Sequence, residues 1–390
     1  MAACWTQSGA IALACGRGLA SFARREARAL GYEVVRDDES SVEIHGTLRD
    51  AMRLNLWLRT AHRVLVPVAR AEAKTIDHLF KHAAAVPWEE WLSPDSFFTV
   101  HGVVHNDTIR DTRLPMLRVK DAIADRLREV HGRRPDSGAG WHGASVFILW
   151  RERDLRLFID TTGEPLSRRG YRQWPGAAPM QETLAAACVM ASGWDWHAPF
   201  VVPMCGSGTP AIEAALIARH RAPSLRRDRF AFMALAGFDD PAGPDGSPAD
   251  WWRAERTAAV AAERPDADVP PIIASDSSAE AVRHAHENAR LAGVEGDIRF
   301  SVCDFTATPQ PPGRGMVFLN PAYGERLGDV EALAPLYRRI GSFFKGLTDY
   351  RGAVLTASPR LAREIGLRAG KQFPFYNGPL ECRLLVFYKT

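Results

Sequence analysis

The strongest constraint on the fold is a regular alternation of short apolar strands and longer helices that begins after residue 163. Such alternation is typical of parallel βαβ units, because each helix carries the chain back to the start of the next strand. The predicted strands are Phe200–Pro203, Ile272–Ser275, Ile298–Val302, Met316–Leu319 and Ala353–Thr356, and the predicted helices are Thr209–Ala218, Glu280–Leu291 and Leu333–Leu347. Asn377-Gly378 predicts a hairpin turn before a last, antiparallel strand at Arg383–Tyr388. The second half of the chain is therefore predicted to be an α/β domain.

The first half has short strands and helices without this regular alternation, an order that is typical of small α+β domains. The predicted strands are Ala10–Ala14, Tyr32–Val35, Ser41–His45, Val64–Val68, Ser145–Trp150 and Leu155–Asp160, and the predicted helices are Leu19–Leu30 and Asp121–His131, the second ending at Gly132. Residues 220–270 are rich in proline, aspartate and arginine. We interpret them as an insertion with one helix around Trp252–Glu263.

Composition limits the class of protein but does not identify its partner. The 390 residues are 46% hydrophobic and 24% charged, as in ordinary globular proteins, and no apolar stretch approaches the roughly 18 residues of a membrane helix. The six cysteines are far apart and form no C-x-x-C pair, so neither a disulfide framework nor a metal site is predicted. We expect a cytoplasmic protein with reduced thiols. A net charge of +3 is too small to indicate nucleic acid by itself.

A glycine-rich turn joins a predicted strand directly to a helix. The sequence from Val201 to Ala215 is VVPMCGSGTPAIEAA. Gly206 and Gly208 let the backbone approach a ligand, Thr209 is suited to a helix start, and open α/β sheets bind ligands at such turns. The turn has neither the G-x-G-x-x-G spacing nor the lysine of a phosphate-binding loop, which makes NAD and ATP less favoured. A tight structural connection is the alternative interpretation.

Two carboxylates follow the next two predicted strands. Asp276 ends the first of them and could accept the hydroxyls of a ribose, while Ser277 and Glu280 have the spacing of a capping box for the next helix. Asp304 ends the second strand and could accept a hydrogen bond from an adenine amine, with Phe305 beside the ring. Capping of a turn is an equally good interpretation of Asp304.

The stretch FLNPAYGERLG from Phe318 to Gly328 is the most informative of the chain. An aromatic amine is a poor nucleophile, because its lone pair is shared with the ring, so an enzyme has to orient it toward an electrophilic methyl group. The Asn320 side-chain oxygen and the Pro321 carbonyl could accept the two amine protons, and Tyr323 could stack on the base. These three residues are the predicted catalytic group. In-line positioning toward a sulfonium methyl group needs no strong base.

The opening segment CGRGLASFARREARALG, the middle segments LNLWLRTAHRVLVPVA and VKDAIADRLREVHGRRP, and the later segment LFIDTTGEPLSRRGYR add to these motifs. Together they resemble class I S-adenosylmethionine-dependent methyltransferases with a THUMP domain, in particular bacterial 23S ribosomal RNA guanine-N2 methyltransferases. The resemblance implies a Rossmann-like domain with a seven-stranded sheet at 164–390, preceded by a ferredoxin-like α+β region at 1–60 and an RNA-binding THUMP domain at 61–163. Val202 replaces the family's usual aspartate, and Ala322 replaces its second proline.

The expected cofactor is S-adenosylmethionine and the expected substrate is RNA. The predicted cofactor contacts are Pro203, Cys205, Gly206, Ser207, Gly208, Thr209, Asp276, Asp304, Phe305 and Asn320. The candidate phosphate contacts are Arg133, Arg134, Arg168, Arg169 and Arg172, although such arginines can equally form a solvated face or a structural pair. Three alternatives stay open: a transfer RNA guanine-N2 methyltransferase, a DNA adenine-N6 methyltransferase, and an RNA-binding assembly factor whose activity is weakened by Val202 and Ala322.

Overall fold

The chain forms two units, which we describe from a computed structural model of residues 3–388 that leaves out residues 108, 110, 142, 175–179, 242–245 and 324–328. One unit contains Met1–Cys15, Ala23–Leu166 and Arg227–Ala258, and the other contains Gly16–Phe22, Ser167–Arg226 and Ala259–Thr390. No helix in the described ranges is both long and apolar enough to cross a membrane.

The helices and strands follow in chain order. The strands are β1 (Gly9–Cys15), β2 (Val34–Asp37), β3 (Ser41–Gly46), β4 (Ala61–Glu72), β5 (Phe98–His105), β6 (Ala144–Arg151), β7 (Asp154–Asp160), β8 (Phe200–Pro203), β9 (Ile272–Asp276), β10 (Ile298–Val302), β11 (Gly315–Leu319), β12 (Tyr350–Thr356), β13 (Lys371–Asn377) and β14 (Leu380–Phe387). The α-helices are α1 (Ala3–Thr6), α2 (Ala20–Ala29), α3 (Leu48–Trp57), α4 (Ile76–Ala84), α5 (Arg113–His131), α6 (Glu182–Ala191), α7 (Thr209–Ala218), α8 (Pro248–Ala261), α9 (Ala279–Ala292), α10 (Asp329–Gly346) and α11 (Pro359–Glu364).

The first unit is built on a seven-stranded sheet of order β2-β3-β1-β4-β7-β6-β5. Its strand pairs are antiparallel except for β5 and β6, which are parallel. Alternate residues point to opposite faces of a strand, and on one face of this sheet the side chains are fully buried. Ile44, Val64, Leu157 and Ile148 belong to that face. The α+β prediction for the first half is confirmed.

From the sequence, residues 220–270 are interpreted as an insertion within the part of the chain predicted to form the α/β domain. In the structure Arg227–Ala258 belongs instead to the first unit. The Phe232 amide donates to the Thr161 carbonyl at 3.0 Å, and the Ala236 amide donates to the Trp91 carbonyl at 2.9 Å. The Phe230 and Phe232 rings pack edge-on against Trp252 of α8. Burial of these aromatic rings attaches the segment to the first unit.

The second unit is built on a seven-stranded sheet of order β10-β9-β8-β11-β12-β14-β13. The strands from β10 to β12 are parallel, while β14 is antiparallel to both β12 and β13. The predicted α/β fold, seven-stranded sheet and antiparallel last strand are confirmed. Chain order runs outward in one direction from β8 and in the other direction from β11, so the two strands flank a topological switch point. Open α/β sheets bind ligands at such a point.

Candidate active site

The predicted cofactor turn and the predicted catalytic turn follow two neighbouring strands. Met316 of β11 lies opposite Phe200 of β8, and Val317 lies opposite Val201. Since the two strands are parallel, the turns that leave them lie at the same edge of the sheet. The fold therefore brings together the two motifs on which the sequence interpretation depends.

The glycine turn has three residues in left-handed backbone conformations: Met204 (φ 60°), Gly206 (φ 53°) and Gly208 (φ 86°). The Cys205 amide donates to the Ser275 carbonyl at 2.8 Å, which ties the turn to the end of β9. Gly208 is the N-cap of α7, which begins at Thr209 as predicted. The turn thus leads straight from a buried strand into a buried helix.

The two glycines of the turn have different surroundings. A Cβ added at Gly206 would meet no atom within 4 Å, so this position faces open space. A Cβ added at Gly208 would lie 2.9 Å from the Ala285 Cβ of α9. We therefore keep ligand approach as the interpretation of Gly206, whereas Gly208 is needed for close packing of α9 against the turn.

Asp276 holds the glycine turn from the end of β9. Its Oδ2 accepts the Gly206 amide at 3.0 Å, and its Oδ1 accepts the Ser278 amide at 3.0 Å. The predicted capping residue is off by one position, because α9 begins at Ala279 and its N-cap is Ser278. The Asp276 carboxylate is therefore fixed at the same edge as the glycine turn.

Asp304 and Phe305 take part in local structure. Asp304 caps a short 3-10 helix by accepting the Thr306 amide at 3.0 Å, and the Arg339 guanidinium lies 2.9 Å from both of its oxygens. The Thr306 hydrogen bonds and Arg339 lower the pKa of Asp304 to about 2, so the carboxyl is ionised at neutral pH. Phe305 is buried in the core of the unit, with the Arg339 guanidinium over its ring at 4.9 Å. A buried ring leaves little surface for an adenine.

Asn320 has an unsatisfied acceptor at the end of β11. Its Oδ1 is buried and has no hydrogen-bond partner among the residues that the structure describes, and the same is true of the Thr209 Oγ1 at the start of α7. A buried polar atom without a partner costs roughly 1–3 kcal/mol, so such an atom needs an explanation. A ligand that donates a hydrogen bond to each of these two oxygens would explain why both lack a partner in the described part of the chain.

Tyr323 and Tyr337 stabilise the catalytic turn. Tyr337 of α10 is fully buried, and its hydroxyl donates to the Ala322 carbonyl at 3.2 Å and lies 3.0 Å from the Thr356 Oγ1 of β12. Tyr323 is 6% exposed, and a hydrogen bond from it partly offsets the rise that burial causes in the pKa of the Cys382 thiol. Tyr337, Thr356 and Cys382 were not found from sequence, because no local motif marks them.

Asn288 supports the other side of the glycine turn. This residue of α9 is fully buried, and its Nδ2 donates to the Ser207 carbonyl at 3.0 Å and to the Trp174 carbonyl at 3.2 Å. Pro203 is buried at the end of β8, and burial raises the pKa of the Cys205 thiol, which stays neutral. The turn is therefore held by side chains from α9 and from the end of β9.

One of the five candidate phosphate contacts, Arg169, is wrong because its side chain is inaccessible, and a second, Arg172, has internal partners. The Arg169 side chain is fully buried, with its Nε donating to Glu213 Oε1 at 2.7 Å, and Tyr171 donates to the same oxygen at 2.9 Å. Arg172 donates to the Met180 carbonyl at 2.7 Å and pairs with Glu182 at 3.2 Å. The Arg169 guanidinium thus stabilises the interior of the second unit, whereas the Arg172 side chain is 17% exposed and its phosphate contact stays a prediction.

The other three arginines are exposed. Arg133 pairs with Asp95, and Arg134 lies 3.5 Å from Asp121. Arg168 is exposed in the segment that opens the second unit. Exposed pairs of this kind contribute little to stability and can exchange their partner for a phosphate. Arg133, Arg134 and Arg168 therefore stay candidates.

The sheet order, the switch point and the glycine turn define the second unit as a Rossmann-like class I methyltransferase domain. Residues 169–385 match the family described as "RMKL-like, methyltransferase domain", residues 10–65 match the RlmL ferredoxin-like domain, and residues 73–137 match the THUMP domain. The chain belongs to the RMKL-like methyltransferase family. The predicted kinds of domain are confirmed, while their exact boundaries stay predictions.

Several relatives and solved structures are similar to nearly the whole chain. Ribosomal RNA large subunit methyltransferase K/L of Syntrophotalea carbinolica is 38% identical over 383 residues, which is 95% of this chain and 52% of that protein. The Methylococcus capsulatus protein of the same name is 37% identical, over 95% of this chain and 50% of its own length. This chain thus spans about half the length of the curated relatives that it matches.

Two crystal structures have the same architecture. The protein SMU.472, crystallised in complex with SAH, has a TM-score of 0.87 and 29% identity, over 99% of both chains. A Listeria monocytogenes protein predicted to be an N6-adenine-specific DNA methylase has a TM-score of 0.84 and 32% identity, over 98% of this chain and 97% of its own. The shared fold therefore extends over both units.

Proposed function

We propose that this chain transfers a methyl group from S-adenosylmethionine to the exocyclic N2 amine of a guanine in RNA, and that 23S ribosomal RNA is the substrate. The observation that carries the proposal is the buried Asn320 oxygen at the end of β11, which has no hydrogen-bond partner among the described residues. The base amine donates hydrogen bonds, so it needs an acceptor of this kind. The names of the curated relatives favour large-subunit ribosomal RNA.

The glycine turn fits the proposed methyl donor. Gly206 faces open space, the Thr209 Oγ1 is a buried group without a described partner, and two strand ends present carboxylates. A bound S-adenosylmethionine supplies an electrophilic methyl group on a sulfonium. The residues proposed to hold it are Pro203, Cys205, Gly206, Ser207, Gly208, Thr209, Asp276 and Asp304, with Asn320 at the junction with the base. Phe305 is proposed only as support beneath Arg339, because its ring is buried.

The catalytic turn orients the amine. The Asn320 Oδ1 and the Pro321 carbonyl accept its two protons, which fixes the plane of the NH₂ group and the direction of its lone pair. Tyr323 is proposed as support for the turn beneath the base, because its ring is only 6% exposed. Tyr337 holds the carbonyl of the intervening Ala322. The excess proton leaves to water after transfer, so the turn contributes positioning rather than strong basicity.

RNA is favoured over DNA by the first unit. The matches to a THUMP domain and to the RlmL ferredoxin-like domain account for residues that a base-modifying catalytic domain alone does not need. Adenine-N6 methylation of DNA is the second candidate, because an acceptor pair serves any planar base amine and the Listeria monocytogenes relative has that predicted activity. A transfer RNA substrate and a weakened assembly factor complete the alternatives.

Nucleoside mass spectrometry tests the proposal. Ribosomal RNA, transfer RNA and DNA from cells with and without the gene are digested and compared, and N2-methylguanosine should be lost from the large-subunit RNA alone. Loss of N6-methyladenine from DNA, or no change in any nucleoside, would contradict the proposal. Calorimetry with S-adenosylmethionine separates an enzyme from an assembly factor, because the latter would not bind it.

We expect Gly206→Ala and Gly208→Ala to have different effects. Both substitutions place a side chain at positive φ, but only the Gly208 variant adds a clash with Ala285. The Gly208 variant should therefore lose a further amount of unfolding free energy, about 1–3 kcal/mol. Gly206→Ala should instead weaken S-adenosylmethionine binding in the protein that remains folded. Urea denaturation and calorimetry on both variants check this. Equal stability of the two variants would mean that the packing argument is wrong.

We expect Tyr337→Phe to lower kcat about three- to tenfold, because the Ala322 carbonyl loses its hydrogen bond and the catalytic turn loosens. The KM for RNA should change little. Thr356→Val is the matched control, since it removes the other partner of the Tyr337 hydroxyl and leaves the turn bonded. Steady-state kinetics on ribosomal RNA would contradict the role of Tyr337 if the control variant were the slower of the two.

A further inference from the structure

An exposed tryptophan lies beside the proposed cofactor turn. Trp174 is 49% exposed, which is unusual for so large an apolar side chain. One face of its indole stacks on the His284 imidazole of α9, with ring centroids 5.5 Å apart and planes only 7° from parallel. The side chain is therefore already oriented, and the loss of rotamer freedom on binding a ligand is small.

The backbone of Trp174 is fixed to the cofactor turn through one buried side chain. The Asn288 Nδ2 donates to the Trp174 carbonyl at 3.2 Å and to the Ser207 carbonyl at 3.0 Å, while its Oδ1 accepts the Trp174 amide at 3.4 Å. A single amide group thus bridges Trp174 and the glycine turn. The Trp174 backbone is consequently fixed next to the turn that we propose to hold the methyl donor, and its indole lies against His284 of the same helix as Asn288.

We propose that the Trp174–His284 pair is a stacking platform for an unpaired RNA base next to the target nucleotide. The inference rests on the proposed function. A target base that enters the active site has to leave its stack, so its neighbours lose a stacking partner and need a replacement. The exposed Trp174 indole, which is stacked on His284, offers a flat apolar surface on which a base can stack. Such stacking does not depend on the identity of the base, because it uses the ring face and not the hydrogen-bonding edge.

The experiment compares the variants Trp174→Ala and Trp174→Phe of the 390-residue chain with a matched control, Trp196→Ala. Trp196 is 39% exposed in the same unit and lies under the Arg264 guanidinium at 3.6 Å, but it precedes β8 and so lies toward the amino ends of the strands, away from the turn. The probe is a fluorescein-labelled, unstructured RNA 12-mer, followed by anisotropy. S-adenosylmethionine affinity and methylation of 23S ribosomal RNA are measured on the same preparations.

Trp174→Ala should weaken binding of the 12-mer by about ten- to a hundredfold, while Trp174→Phe and Trp196→Ala stay close to wild type. The slope of log Kd against log salt should be unchanged, because stacking releases no counterions. S-adenosylmethionine affinity should also be unchanged.

Several results would overturn the platform. Wild-type RNA affinity in Trp174→Ala, an equal loss in Trp196→Ala, or a parallel fall in S-adenosylmethionine affinity would each do so, the last because the indole would then contact the cofactor. If Trp174→Ala keeps its RNA affinity while the wild type methylates RNA, only this inference fails. If the wild type neither binds nor methylates RNA, the proposed function fails with it.

Discussion

Asn320→Ala is expected to lower kcat for methyl transfer by at least about a hundredfold while S-adenosylmethionine affinity stays near the wild-type value. The substitution removes the one buried acceptor at the end of β11 that has no partner among the described residues. Without it the amine is free to rotate, and misplacing a reacting group by about 1 Å can cost a factor of 100 in rate. The protein should not lose stability through a broken bond, because the described structure offers the Oδ1 none to break.

The matched variant for this prediction is Asn320→Asp, which keeps an oxygen acceptor at nearly the same place. We expect it to retain more activity than the alanine variant, although less than wild type because a carboxylate is costly to bury. Single-turnover methylation of 23S ribosomal RNA gives the rate, and calorimetry gives the cofactor affinity. Wild-type turnover by Asn320→Ala would refute the catalytic assignment, and a collapse of cofactor binding would mean that Asn320 acts mainly on the cofactor.

The α/β half of the fold was predictable because its elements carry their own local signals. Phe200–Pro203, Thr209–Ala218 and Ile298–Val302 have the bounds that the sequence predicted. Each is a short apolar strand or a helix next to a glycine, proline or capping residue. Such boundary residues can be recognised from a few neighbouring positions in the sequence. The order of these motifs along the chain was enough to indicate a binding edge.

The elements that escaped prediction depend on partners far away in sequence. Helix α3 buries Asn55, whose amide nitrogen donates to the Thr161 hydroxyl at 2.8 Å across 106 residues. Strand β5 was missed because its pattern of alternate burial is weak, and β13 because Pro374 lies within it. A proline is usually evidence against a strand, but β13 is the last strand in the order of the described sheet, and an edge position tolerates a proline.

The residues of the candidate site also divide into those with a local sequence signal and those without one. Gly206, Asp276 and Asn320 were found because each ends a predicted strand or lies in the turn after it. Tyr337 and Asn288 act on those turns from the middle of helices, where nothing in the local sequence separates them from ordinary core residues. Arg169 was misinterpreted for the converse reason: its neighbours look like a basic surface, and its true partner Glu213 is 44 residues away.

Glu213→Ala is expected to destabilise the second unit by about 3–5 kcal/mol. It removes the carboxylate that pairs with the fully buried Arg169 guanidinium, and breaking a buried ion pair by removing one partner costs about that much. The Tyr171 hydroxyl loses its acceptor as well. Urea denaturation, followed by circular dichroism, measures the change.

The control is Asp125→Ala, which breaks the exposed pair with Arg128, whose side chain is 61% exposed; it should change the unfolding free energy by less than about 1 kcal/mol. The double variant Arg169→Met with Glu213→Leu should recover part of the lost stability, because apolar residues of similar size need no counter-charge. If Arg169 instead contacted RNA, Glu213→Ala would leave stability nearly unchanged and would strengthen RNA binding by removing a competing carboxylate. A loss of stability without stronger RNA binding therefore indicates an interior role for this arginine, and stronger RNA binding at unchanged stability indicates a surface role.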